Sequence, residues 1–362
     1  MVKAVKKQKQ KIRVLDYIHF SILSFWAIFF TCIFSFQAFA QDIVVKFGTL
    51  APAGSVWVEV IQEIANQISQ KTKERIKWIS YTGGVMGDEE EMIRKIRIGQ
   101  LQGGGFTING IKKISPELEV LDLPFMFRDE KEVDYIYDKF FDEFEKYFEQ
   151  RGFKLLLFTE QGFIYWYSKN PDVKGFRDIG KTRVWAWKGE RIMTSIAGIL
   201  GTSPIYLQVP DVLSGLETGM IDSFQTSPMA CLSLQWCKLV KVMINYPYRF
   251  EPGAIIISKK YFDNIPGDLK NVLEDEFKKS RAGFTAKVRD GQKSALEKLK
   301  FLGIKFVEPK DKDWLESEIK GKLWSSFENS DLFKKIKDSL EELRKKEEKK
   351  EGDIYVVPEK NQ

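Results

Sequence analysis

The order of local patterns between Ile43 and Phe106 constrains the fold more than any other stretch of the chain. Ile43-Val44-Val45-Lys46-Phe47-Gly48 reads as a short buried strand. The loop Thr49–Gly54 leads to Ser55, a residue type that caps helix N-termini. Trp57, Val60, Ile61, Ile64, Ala65 and Ile68 then recur at helical spacing. Arg75–Tyr81 alternates as a second strand until Gly83 and Gly84 break it. Asp88 opens a second helix whose first turn is acidic, as the helix dipole prefers, and Gly99 ends it. Leu101 to Phe106 is a third strand. Parallel strands need a crossover and helices supply it, so this run predicts a doubly wound α/β sheet.

The pattern continues beyond that unit. A helix carries Val133, Ile136, Tyr137, Phe140, Phe141, Phe144, Tyr147 and Phe148 on one face. Phe153–Thr159 is a buried strand, and Gln161–Tyr167 is an extended aromatic segment crossing into a second lobe. That lobe holds helices near Arg191–Leu200 and Asp211–Thr218 and a strand at Met220–Phe224. Ala254–Ser258 returns as a strand, a long helix runs from Pro266 to about Leu302, and Lys310–Phe327 is a further helix. Crossings at Phe163–Tyr167 and near Phe250–Ser258 predict two lobes, a hinge and an interlobe ligand cleft, with long C-terminal helices. Residues 41–162 with about 250–285 form lobe I. Residues 163–249 with about 286–330 form lobe II and the spanning helices, and 331–362 is a charged C-terminal tail.

The formal charge of +6 is concentrated at the start. Lys3, Lys6, Lys7, Lys9, Lys11 and Arg13 face only Asp16 there, so the remainder is near neutral and carries no electrostatic footprint for nucleic acid. This basic stretch, the apolar run Ile18–Phe36 and Ala38-Phe39-Ala40 have the layout of a secretory signal peptide over residues 1–40. An uncleaved membrane anchor is the alternative, since the run is nearly long enough to span a bilayer. Cleavage removes His19, the sole histidine, and with it Ser-His, Cys-His and histidine-metal chemistry. Cys231 and Cys237 remain, too few for a cysteine zinc site. Six residues apart in a helix they do not face one another, so they read as buried thiols; a disulfide requires a non-helical backbone between them.

The chemistry is concentrated between Thr182 and Pro228. Thr182-Arg183-Val184-Trp185-Ala186-Trp187 sets an arginine beside two indoles. Arginine forks a carboxylate, and tryptophan supplies flat apolar contact with one polar handle, which together suit a small organic anion.

Several segments resemble the substrate-binding proteins of TRAP transporters, of the DctP type, over about Val44 to Phe327. They are Gly87–Gly99, Leu123-Pro124-Phe125-Met126-Phe127, the stretches around Arg183 and Leu216–Pro228, and Lys259–Pro266. The resemblance implies a periplasmic-binding-protein-like fold and a periplasmic receptor that is not an enzyme. It places Arg183 where the family pairs an arginine with the ligand carboxylate. Gln225 and Ser227, with Thr226 between them, stand where a polar ligand contact is common, and Leu50–Ser55 matches a loop that often touches ligand. Trp185, Trp166, Phe224, Gln161 and Ser55 complete the expected ligand-binding set. Many members carry a second arginine after the Gly-Phe of the crossing; here Gly162-Phe163 is followed by Ile164, Tyr165 and Trp166. One arginine among aromatics fits a monocarboxylate with an apolar or aromatic body rather than a dicarboxylate. Some relatives hold a cation through a carboxylate near Glu160, but a paired glutamate is the simpler reading, and no cofactor or metal is expected. The implied partners are the permease subunits and, in some relatives, a tetratricopeptide-type protein. A ligand-sensing module on the same fold is the alternative function.

Overall fold

The structure, a computed structural model, describes residues 43–354. The predicted signal segment with His19 and Cys32, and the tail beyond Ile354, lie outside the described residues. The opening order is as predicted: β1 (Ile43–Thr49), α1 (Val56–Lys71), β2 (Ile76–Tyr81), α2 (Glu89–Arg97) and β3 (Gly103–Thr107). Next come α3 (Ile108–Ile114), a 3-10 turn at Pro116–Asp122, α4 (Glu130–Glu149) and β4 (Phe153–Ser168). Then follow α5 (Phe176–Ile179), β5 (Trp185–Ala186), α6 (Arg191–Leu200), β6 (Ile205–Tyr206) and α7 (Val209–Glu217). After these lie β7 (Ser223–Thr226), α8 (Pro228–Ser233), a 3-10 turn at Trp236–Leu239, β8 (Val242–Ile244) and β9 (Arg249–Ser258). The chain closes with α9 (Lys259–Asp263), α10 (Gly267–Phe301), β10 (Lys305–Val307), α11 (Lys312–Lys322) and α12 (Asp331–Ile354).

The main sheet runs β2-β1-β3-β9-β4-β8-β10, with β7 also on β4. β1 and β3 are parallel, but β9 is antiparallel to both β3 and β4, so the sheet is mixed rather than wholly parallel. Gly103 permits this packing, because a Cβ there would lie 2.6 Å from the Ile256 carbonyl oxygen of β9. Phe153–Thr159 and Gln161–Tyr167, read separately in sequence, are one 16-residue strand. Its first part pairs with β9 and its last four residues pair with β7. The register shifts between Glu160 and Gly162, where a bulge kinks the strand. Both halves of the sheet therefore share β4, and a further register shift lies between Leu155 and Leu157.

Aromatic burial anchors the sheet. The α4 stripe buries Ile136, Tyr137, Phe140, Phe144 and Phe148. Tyr137 meets the Phe158 ring edge-on at 4.7 Å, and Phe144 lies 5.2 Å from it. Each buried phenylalanine contributes roughly 1.5–3 kcal/mol.

Two expectations are corrected. Cys231 and Cys237 are buried as expected, yet they form a disulfide. The helix that would have separated them ends at Ser233, and Gln235 turns the chain back at φ +63°. The segment from 331, read as a charged tail, is helical and packed at its start. Leu332, Phe333, Ile336 and Leu340 of α12 are buried, and Arg344 forks Glu132 at 2.7 Å from both Nε and Nη2. An amphipathic stripe was present there, but the surrounding Lys/Glu excess masked it.

Candidate functional site

A cleft of about 880 Å³, counting its open mouth, lies beside the β4 bulge. Its floor is β9 and β3, one wall is the Thr49–Ser55 loop with α1, and the other comes from the segments around Trp185, Gln225 and Trp236. Trp57, Trp185, Trp187 and Trp236 line it. Trp57 reaches it because Gly253 has no side chain; a Cβ there would lie 2.8 Å from the indole. The Trp57 Nε1 donates to the Glu160 carbonyl, and the Trp185 Nε1 to the Leu207 carbonyl, which fixes both rings.

Five of the eight residues expected from the sequence meet here: Trp185, Gln225, Ser227, Gln161 and Ser55. The Ser227 hydroxyl caps α8 by accepting from Ala230 N, whereas the Ser55 hydroxyl at the start of α1 is buried without a partner. The Gln292 amide on α10 donates to the Gln161 carbonyl and accepts from Met229 N, tying the spanning helix to both sides of the cleft.

The other three are elsewhere. Trp166 is core, stacked on Tyr248 at 5.8 Å. Phe224 is core, stacked on Tyr167 at 5.3 Å. It precedes Gln225 on β7, and neighbouring strand residues point to opposite faces, so when Gln225 meets the cleft Phe224 cannot. Arg183 is the larger correction. Its side chain is 58% exposed and its Nε donates to Asp222 at 2.9 Å. Asp222 also accepts from the Arg183 backbone N at 2.7 Å, which folds the guanidinium against the turn before β7 and away from the cleft. Glu160, the candidate cation carboxylate, is held by Arg289 Nε and Nη2 at 3.0 and 2.9 Å.

The arginine in the cleft is Arg249, on the first residue of β9. Its Nη1 donates to Asp122 at 2.9 Å and to Glu190 at 3.0 Å, and its Nε is buried without a partner. Burial lowers its proton affinity, but the carboxylates around it more than reverse this, so it stays charged. Burial pushes the Asp122 carboxyl up, and Arg249 opposes that. Glu251, two residues on along the same face, also lines the cleft; burial pushes its carboxyl up to about 7, against the pull of Arg249.

Glu89 is a further surprise. Read in sequence as part of an acidic first turn, it is buried and accepts from Thr107 N, Thr107 Oγ1 and Gly110 N. Burial raises it to about 8. The signal for Arg249 and Glu251 was legible: two charges spaced by two in an apolar strand are unusual, and each needs a buried partner.

Among the described residues no helix is long and apolar enough to cross a membrane. A family profile described as bacterial extracellular solute-binding protein, family 7, matches residues 47–329. The chain is 22% identical to the 2,3-diketo-L-gulonate-binding periplasmic protein YiaO of Escherichia coli, over 74% of this chain and 84% of that one. It is 20% identical to the C4-dicarboxylate-binding periplasmic protein DctP of Rhodobacter capsulatus, over 74% and 81% of the two chains. The sugar acid binding protein of Advenella mimigardefordensis, solved with galactonate, superposes with TM-score 0.79 at 20% identity, over 83% of this chain and 99% of that one. A TRAP solute-binding protein of Desulfovibrio salexigens, solved with orotic acid, gives 0.76 at 16% identity, covering 83% and 99%. The mixed α/β fold is thus that of the two-lobed TRAP receptors, and the profile spans most of the described residues. The chain belongs to the DctP family, the solute-binding proteins of TRAP transporters, which are transport receptors and not enzymes.

Proposed function

We propose that this receptor binds a small organic acid with an apolar or aromatic body, with its carboxylate at Arg249 and its body among the tryptophans, and delivers it to the membrane permease. One observation carries the reading: a single buried arginine with an unpartnered Nε lines a cleft walled by four indoles. Guanidinium binds carboxylate through parallel N–H donors, and little water competes in so apolar a site. The relatives named above for a diketogulonate, C4-dicarboxylates, galactonate and orotic acid support an acid. The scarcity of cations supports one carboxylate rather than two.

In this reading lobe I is 41–162 with about 250–285, and lobe II is 163–249 with about 286–330. They close by bending at the Glu160–Gly162 bulge, since contacts from both walls reward closure. Residues 1–40 direct export to the periplasm. A tetratricopeptide-type protein is a further partner suggested by the family resemblance.

The test is a thermal-shift and calorimetric panel of mono- and dicarboxylates on the purified protein. Aromatic or branched monocarboxylates should stabilise it more than succinate, Arg249→Lys should weaken that response, and Arg183→Ala should leave it unchanged. Loss of binding in Arg183→Ala with retention in Arg249→Lys would overturn the assignment.

A further inference from the structure

The polar atoms of the cleft that lack partners define the rest of the ligand. Among the described residues that line the cleft, Arg249 is the only Lys or Arg, against Glu89, Glu190 and Glu251. It is already shared by Asp122 and Glu190. A bare carboxylate would therefore place a third anion around one cation where water screens poorly. Arg249 Nε is a donor left open, Glu251 Oε1 and Gln225 Oε1 are buried acceptors left open, and the Ser55 hydroxyl, also open, can play either part. The Gln225 orientation follows from chemistry: its Nε2 lies 3.0 Å from Met193 Sδ, and a thioether accepts but never donates. Buried polar atoms are almost always satisfied in the working state of a protein. The complementary ligand must bring hydrogen-bond donors as well as carboxylate oxygens, and a carboxylate acceptor such as Glu251 favours a charged donor.

We propose that the solute is a zwitterion of the amino-acid type, its carboxylate meeting Arg249, its protonated amine meeting Glu251, and an apolar side chain lying among Trp57, Trp185, Trp187 and Trp236. This rests on the acid reading above. The two charged groups sit two apart on one face of β9, a spacing suited to charges on adjacent ligand carbons. An ammonium carries three donors, more than the two acceptors, Glu251 Oε1 and Gln225 Oε1, that the cleft leaves open. The solute itself then brings no net charge into the cleft. The other groups around Glu251 are Arg249 on its own strand, Tyr248 just before it, Asp122 of the Pro116–Asp122 turn, Glu190 before α6, Lys112 of α3, and Thr107 and Glu89 at the β3 side. With Glu251 near 7 in the empty cleft, an arriving ammonium displaces its proton, so binding at neutral pH releases protons.

Isothermal titration of the purified protein tests this with the twenty common L-amino acids, and with the deaminated and decarboxylated analogues of any that bind. For phenylalanine these are 3-phenylpropanoate and phenethylamine. At least one apolar amino acid should bind at least tenfold more tightly than its deaminated analogue. Its heat should vary with buffer ionisation, and Glu251→Gln should lower its affinity at least tenfold relative to that of the deaminated acid. If the deaminated acid binds as tightly as the amino acid, the zwitterion falls and the acid reading stands. If the decarboxylated amine binds as tightly and the acid does not bind, both fall. Failure of every amino acid to bind overturns the proposal whatever Glu251→Gln does.

Discussion

Replacing Arg249 by methionine separates a buried charge network from an ordinary surface pair. Asp122 is fully buried and Glu190 only 2% exposed, and both accept from the same nitrogen, Nη1. Methionine keeps much of the volume but removes the charge and leaves two buried carboxyls without their cation. Breaking one side of a buried pair costs about 3–5 kcal/mol, because the survivors remain desolvated. Arg183→Ala removes a pair whose arginine is more than half exposed, worth about 0–1 kcal/mol. Urea unfolding of ligand-free protein at neutral pH measures both. Arg249→Met should unfold at clearly lower urea, Arg183→Ala almost as wild type. Adding Asp122→Asn to Arg249→Met should recover part of the loss, since one stranded charge is then neutral. Equal midpoints for wild type and Arg249→Met would refute the reasoning, because an uncompensated Asp122 cannot be free of cost in this setting.

Other outcomes follow from the same geometry. Trp185→Ala should weaken solute binding at least tenfold by isothermal titration, whereas Trp166→Phe, a core exchange, should leave affinity within about twofold while lowering stability. Reducing Cys231–Cys237, or replacing both by alanine, should cost about 2 kcal/mol by the chain-entropy relation for so short a loop, seen as a lower urea midpoint. Because Glu251 titrates higher in the folded state, near 7, than its ordinary 4.5, the folded protein holds a proton that the unfolded chain has lost between those values. Stability should therefore fall as pH rises from about 4.5 to 7, and Glu251→Gln should flatten part of that slope in thermal melts.

Much of the fold was local information. The apolar spacing of α1, the acid-capped start of α2 and the Phe/Tyr stripe of α4 are set by residues within a few turns of each other, and all three helices form where the periodicity predicts. The crossing at Gln161–Tyr167 was also visible, although its fusion with Phe153–Thr159 into one bulged strand depends on the partner β9, a hundred residues away. The cleft was half legible. Gln161, Trp185, Gln225, Ser227 and Ser55 lie in it, while Phe224 and Trp166 point to the core because strand alternation assigns faces only once the cleft side is known.

The sequence by itself determined the α/β class, the extended aromatic segment at Gln161–Tyr167 and the family resemblance, because periodicity and motif order are properties of neighbours. Which arginine guards the cleft was decided by tertiary structure alone. Arg183 meets Asp222 across 39 positions and is drawn to the surface, whereas Arg249 meets Asp122 across 127 positions and is drawn inside. A charge goes where its partner carboxylate has been carried by the packing of other elements. The two charges of β9 signal that Arg249 needs a buried partner, but no local pattern says which elements bring that partner to it.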